Sequence, residues 1–146
     1  MSYAPPTTMT PGLDPELLYW VRSLDGEPPT SNARVPLTLQ MHGSIVSGDL
    51  VGAPAYYYLQ AKWTVQMFNL NEQRAADTME RGLKQGEHVR NQRTNSLVYM
   101  DPEFLHLINA FYLAGSSFMP GAKNSGFVWR GKIKDVSGWN LGKFAP

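Results

Sequence analysis

Apolar residues recur along this chain with two different periods, and the switches between them divide it into elements. Leu17, Leu18, Trp20, Val21 and Leu24 return at the three-to-four-residue spacing of a helix. Asp14 is placed to cap that helix, Pro15 suits its first position, and Glu16 favours the positive end of the dipole. It should stop near Asp25-Gly26, and the prolines of residues 27–32 mark a turn. From Arg34 the period changes to two: Leu37, Leu39 and Met41 alternate with Thr38 and Gln40, the pattern of a strand with one buried face. His42-Gly43 then suits a two-residue hairpin turn, and residues 44–51 form the return strand. Gly48 in the middle of that strand predicts a bulge or sharp bend.

Residues 54–70 regain the helical period, with Pro54 as a starter and a heavy aromatic load. Residues 71–94 interleave charges, with Asp77–Arg81 and Glu80–Lys84 at i,i+4 spacing. They read as a solvated helix or an exposed loop, with a break expected near Gly86 because glycine weakens a helix interior. Residues 103–113 are too short and too uniformly apolar for periodicity to decide, and their aromatic and β-branched content favours a strand. Residues 114–126 are a loop. Residues 127–144 read as a second hairpin turning at Ser137-Gly138, with Phe127, Trp129, Gly131, Ile133 and Asp135 on the inward face and Val128, Arg130, Lys132 and Lys134 outward. The expected fold is α+β: an N-terminal helix, about five antiparallel strands in a bent sheet or small open barrel of Sm-like type, and a helical insertion between the hairpins. Residues 1–12 are expected to be a flexible leader and residues 13–146 a single domain.

Composition narrows this without redirecting it. At 146 residues with 42% hydrophobic positions, the chain is long enough to bury its own core. It has no cysteine, which removes disulfides, thiolate metal sites and cysteine nucleophiles and suits a reducing cytoplasm. No secretory signal opens it and no apolar run reaches the roughly 20 residues of a membrane span, so a soluble cytoplasmic protein is expected. Net charge is only +1, but its distribution is uneven. Residues 1–33 set Arg22 against four carboxylates, whereas residues 121–146 set five cations against Asp135. Either the two ends pair within one fold or they steer neighbouring copies together.

Little in the chain carries chemistry. Phosphate-loop, dinucleotide, nucleophile-elbow and zincin motifs are absent, and His42, His88 and His106 match no metal-ligand spacing. Asp101 and Glu103 are close in sequence, but nothing sets their pKa values apart as an acid–base pair requires. No catalytic, cofactor-binding or metal residue is nominated. Arg130, Lys132 and Lys134 beside Trp129 and Trp139 raise the question of a nucleic-acid platform. Alternation turns Trp129 away from the cations, which weakens that reading. Tyr56, Tyr57, Tyr58 and Trp63 exceed what one helix face buries, so they serve the core alone or the core and an interface.

The block Trp129-Arg130-Gly131-Lys132-Ile133, followed by Val136, Gly138 and Leu141-Gly142-Lys143, resembles the closing segment of the gas-vesicle accessory protein GvpU family. The hairpin from Leu37 to Gly48 and the segment Phe104-Leu105-His106-Leu107 are similar to its earlier strands, so the resemblance spans about residues 17–144. The mixed-charge residues 71–95 depart from the family's acidic middle. The resemblance implies a non-enzymatic cytoplasmic protein that self-associates and helps gas vesicles assemble or cluster. It implies contacts with further copies and with vesicle shell or accessory proteins, without cofactor or membrane. Matching the motif, the candidate interaction residues are Trp129, Arg130, Gly131, Lys132, Ile133, Lys134, Gly138, Gly142 and Lys143. A small nucleic-acid-binding barrel and a generic oligomeric scaffold are the alternatives.

Overall fold

The computed structural model describes residues 12–95, 101–121 and 126–144. The expected leader lies outside the described residues except for Gly12. Helix α1 (Pro15–Asp25) begins as its sequence predicts: the Asp14 carboxylate accepts from the N–H groups of Glu16 and Leu17 at 2.8 and 3.2 Å. Its apolar face, Leu17, Leu18, Val21 and Leu24, lies on the sheet.

Strands β1 (Val35–Met41) and β2 (Ser44–Val51) form the predicted hairpin, and both turn residues adopt positive φ, His42 at 50° and Gly43 at 82°. Those two left-handed residues match the turn to the twist of the strands. The remaining strands are β3 (Phe104–Ala114), β4 (Ser117–Met119), β5 (Phe127–Lys132) and β6 (Val136–Leu141). All pairings are antiparallel, in the order β4-β3-β2-β1-β6, and β5 pairs with another stretch of β3. The sheet stays open, since no ladder joins β5 to β6 among the described residues. Its bend lies where the sequence places it. The β2–β3 register shifts between Ser47 and Asp49, and a Cβ on Gly48 would stand 2.9 Å from the Ile108 carbonyl oxygen.

The predicted C-terminal hairpin is corrected. Strand β5 pairs with β3 and β6 pairs with β1, so the two strands lie at opposite ends of the sheet. They are joined by a 3₁₀ turn at Ile133–Asp135, and Ser137-Gly138 belong to β6 rather than to a turn. Alternation along residues 127–144 identifies two strands correctly but carries no information about which neighbour each one pairs with.

One face of the sheet packs on α1. Leu37, Leu39, Val46, Leu50, Leu105 and Leu107 meet the helix's four aliphatic residues, with Ile133 at the end of the cluster. Each fully buried leucine contributes about 1.5–3 kcal/mol by transfer from water. The other face carries the insertion, helices α2 (Ala53–Phe68) and α3 (Glu72–Thr94), an antiparallel pair turned by Asn69-Leu70-Asn71. The break expected at Gly86 does not occur, and α3 is continuous over 23 residues. Gly82 and Gly86 sit where α3 crosses α2: a Cβ on Gly82 would stand 2.5 Å from the Ala61 Cβ, and one on Gly86 2.6 Å from the Pro54 carbonyl oxygen. These glycines serve a close helix–helix approach, which offsets their low helix propensity.

Gly52 precedes α2 and offers no side-chain cap, so the cap comes from α1. Buried Asp25 accepts from the Ala53 N–H at 2.8 Å and faces Arg93 at 3.4 Å, while Arg90 donates to the Gly26 carbonyl at 2.9 Å. Three helices therefore meet at one joint. Burial pushes the Asp25 carboxyl up to about 6, against the opposing pull of the Ala53 N–H and the Arg93 charge. No described helix is long and apolar enough to cross a membrane.

Candidate functional site

The residues of the Trp-Arg-Gly-Lys-Ile block have separate tasks in the fold. Trp129 and Gly131 share one face of β5, and the indole lies over Gly131, where a Cβ would overlap the ring. In that position the Trp129 N–H donates to the Tyr112 hydroxyl at 2.5 Å and the ring packs against the α1-side core. Ile133 is buried and its N–H donates to the Glu103 carbonyl at 3.0 Å, which starts the 3₁₀ turn. Arg130 and Lys132 lie on the other side of the strand, and Lys134 follows in the turn. Arg130 is exposed with its guanidinium 3.7 Å from the Phe104 ring centroid, Lys132 is half-buried, and Lys134 is exposed. Lys134 stands in the turn, not on a strand face, and α2 covers Val128 of the outward row, so that row is not a uniform solvent face. None of the three cations has a carboxylate within salt-bridge distance among the described residues.

The later motif residues close the sheet's outer face. Gly138 lies opposite Gln40 in the β1–β6 ladder, and Trp139 donates its indole N–H to the Asp14 carboxylate at 3.0 Å. That hydrogen bond, ahead of the helix N–H groups, holds Asp14 below the ordinary carboxylate range against the opposing effect of burial. Gly142, at φ 102°, turns the chain across the outer face of β1 and β2, its N–H donating to the Pro36 carbonyl at 2.8 Å and its carbonyl accepting from Thr38 at 2.9 Å. Lys143 then reaches buried Asp49 at 2.9 Å, and the Phe144 N–H donates to Ser47 at 2.6 Å. Asn109 also donates to Asp49 at 3.0 Å. Thr38, Ser47 and Asp49 were not singled out by sequence. Their signal was present, because polar residues at period two on β1 and β2 must share a face, and buried polar groups require partners.

The aromatic residues of α2 divide by position. Tyr56 is buried, stacked on His106 at 4.3 Å between ring centroids and edge-on to Tyr57 at 5.5 Å. Tyr57 and Tyr58 are half-buried, and Trp63 is half-buried in a groove of about 250 Å³ between α2 and Ile108, Phe127 and Val128. The freely exposed apolar residues lie further on, at the tip of the helical pair: Met67 is 63% and Phe68 66% exposed. His106 faces away from the α1 core as an outward strand residue, yet α2 covers it to 3% exposure and its Nε2 has no hydrogen-bond partner among the described residues. Burial, then the charges of Arg130 and Arg93, push its imidazole down to about 3, so it stays neutral.

The uneven charge at the chain ends is not settled by pairing between them. The described ion pairs of the acidic end are Asp25–Arg93 and Arg22–Asp101, and Lys143 of the basic end pairs with Asp49. Asp14 meets the basic end only through Trp139. Among the described residues no group of three or more His, Asp or Glu side chains is arranged to hold a metal ion.

The profile of the family described as "Gas vesicle protein GvpU-like" matches residues 24–144, and the chain belongs to that family. The match begins in the last turn of α1 and takes in every later element of the fold. No curated protein and no solved structure gives a significant match.

Proposed function

We propose, on the premise of membership of this gas-vesicle-related family, that the chain is a non-enzymatic accessory protein of the cytoplasm. It self-associates and holds gas vesicles, or their shell and accessory proteins, together during assembly or clustering. The observation that carries this reading is the row of cations Arg130, Lys132 and Lys134, placed by β5 and its turn with no carboxylate partner among the described residues. Cations held by β5 and its turn without a carboxylate partner among the described residues suit an acidic protein surface. Exposed Met67 and Phe68, together with Trp63, support a second contact of apolar character.

Co-flotation with isolated gas vesicles tests the reading. The protein should rise with vesicles at low salt and progressively less as salt screens the cations. A protein left in the lower fraction at both low and moderate salt would show that it has no vesicle affinity of this kind. Replacing Arg130, Lys132 and Lys134 together by glutamine should remove the salt-dependent part of flotation while the fold, read by circular dichroism, remains.

A further inference from the structure

Two strands of this sheet end in open edges, and their backbone polarity can be read from single hydrogen bonds. Antiparallel partners alternate between residues that exchange hydrogen bonds and residues that turn theirs away. Gly142 donates to the Pro36 carbonyl, so Asn140 and Gly138 face β1 and the N–H and C=O groups of Trp139 and Leu141 point out from the β6 edge. Ile133 donates to the Glu103 carbonyl, so Gly131 and Trp129 face β3 and the backbone groups of Arg130 and Lys132 point out from the β5 edge. Neither edge has a strand beside it among the described residues.

The edges differ in how they meet water. Val136–Leu141 contains no charge and no proline, the devices that commonly keep an edge from pairing with another chain, and Leu141 is 56% exposed. A groove of about 400 Å³ lies between it and the start of α1, lined by Val136, Ser137, Gly138 and Trp139 together with Leu13, Asp14, Leu17 and Ile133. The β6 side carries the carboxylate of Asp14, fixed to Trp139, while Asp135 in the turn faces His42 at 3.4 Å. The β5 edge carries Arg130 and Lys132, which lack carboxylate partners among the described residues, and the two strands are equally long at six residues.

We infer that β6 is a docking edge for β5 of a second copy, the basic strand of one molecule continuing the sheet of the next beside the Asp14 carboxylate. The contact is heterologous, because each copy offers one edge of each kind, and it propagates into a ring or a chain of copies. It rests on the self-association proposed above and names the surface responsible.

The test compares the unmodified protein with Leu141→Pro and Leu141→Lys. The Leu141 N–H points away from β1 and its side chain is largely exposed, so proline removes an outward donor without removing a ladder bond, and lysine adds an edge guard. Light scattering after gel filtration should give the unmodified protein a mass above the monomer that rises with concentration and falls with salt. Both variants should run as monomers with thermal melting close to that of the unmodified protein. Lys132→Glu should shift the same equilibrium from the opposite edge. If the unmodified protein assembles and the variants assemble equally, the edge inference fails while self-association stands through another surface. A monomer at every concentration overturns both. If the Leu141 variants lose vesicle flotation although the unmodified protein is monomeric, the edge takes a segment of another protein and the second-copy inference is overturned.

Discussion

The two faces of the sheet are covered in contrasting ways. Toward α1 the contact is aliphatic, leucine and valine from the helix meeting leucine and valine from β1, β2 and β3. Toward α2 the buried cluster is small, Val51, Ala55, Tyr56 and Ile108, and much of that side is held by aromatic stacking, glycine crossings and the Asp25 joint. The first layer gains its stability from area removed from water, which is tolerant of small displacements. The second depends on backbone approach and on a few polar groups at its base, and it leaves its tip, Met67 and Phe68, in solvent. One layer defines the fold, and the other presents a surface.

The contrast can be broken most severely in the α1 layer. Leu107→Ala, at a fully buried position, should lower unfolding free energy by about 2–5 kcal/mol in denaturant titration. A loss well under 1 kcal/mol would mean that the aliphatic layer is not the main support.

The joint beneath the other layer should respond to pH in two opposed ways. Asp25 is raised to about 6 in the folded state, so its contribution is complete below the ordinary carboxylate range and lost as pH rises toward about 6. His106 is lowered to about 3, so its contribution is complete above the ordinary imidazole range and lost as pH falls toward about 3. Each slope is at most about 1.4 kcal/mol per pH unit. Over the shared window the two oppose each other. Asp25→Asn should expose the His106 slope, with melting temperature falling as pH drops, and His106→Phe the reverse; parallel curves for both variants would contradict the assignment.

A smaller and more local effect is expected at the helix crossing. Gly82→Ala places a methyl against Ala61 and the Tyr57 carbonyl, costing about 1–3 kcal/mol by overpacking and regaining about 1 kcal/mol of helix propensity. Hydrogen exchange should quicken in α2 and α3 while β1–β3 keep their protection. Uniform loss across the molecule would show that the layers are not separable. The smallest change is expected at the tip, where Phe68→Ser should alter stability by less than about 0.5 kcal/mol, checked by thermal melting.

How far the sequence carries depends on which interaction decides each feature. The α1 cap and the first hairpin are set by near neighbours, and their residues show them directly; the Gly48 bend is visible as a glycine inside a strand, although the close approach it permits is to Ile108. Gly86 misleads because its cost is local and its compensation, the approach of α2, is not. The pairing of β5 with β3 and of β6 with β1 is likewise non-local: alternation places Trp129 inward but cannot choose between partners. Of the candidate site, the cations of β5 are visible as an alternating row, while the clasp of Lys143 on Asp49 joins residues 94 apart in sequence. The tyrosine run leaves core and interface roles open, and Tyr56 is buried on His106, because the face of α2 that meets the sheet is set by the whole insertion rather than by the run.

The three-residue link between β5 and β6 has a geometric consequence. Across β5, β3, β2, β1 and β6, four spacings of about 4.8 Å would set the outer strands about 19 Å apart on a flat sheet. Lys132 also lies level with Phe104, beyond the Val51–His106 pair, whereas Val136 lies level with Met41 and Ser44 at the opposite end. The link therefore joins diagonal corners, yet its four Cα steps reach at most about 14 Å. A flat sheet of this register is forbidden by chain length alone. The sheet must roll with a stagger, and the short tether works as a covalent limit on curvature that no side chain has to enforce.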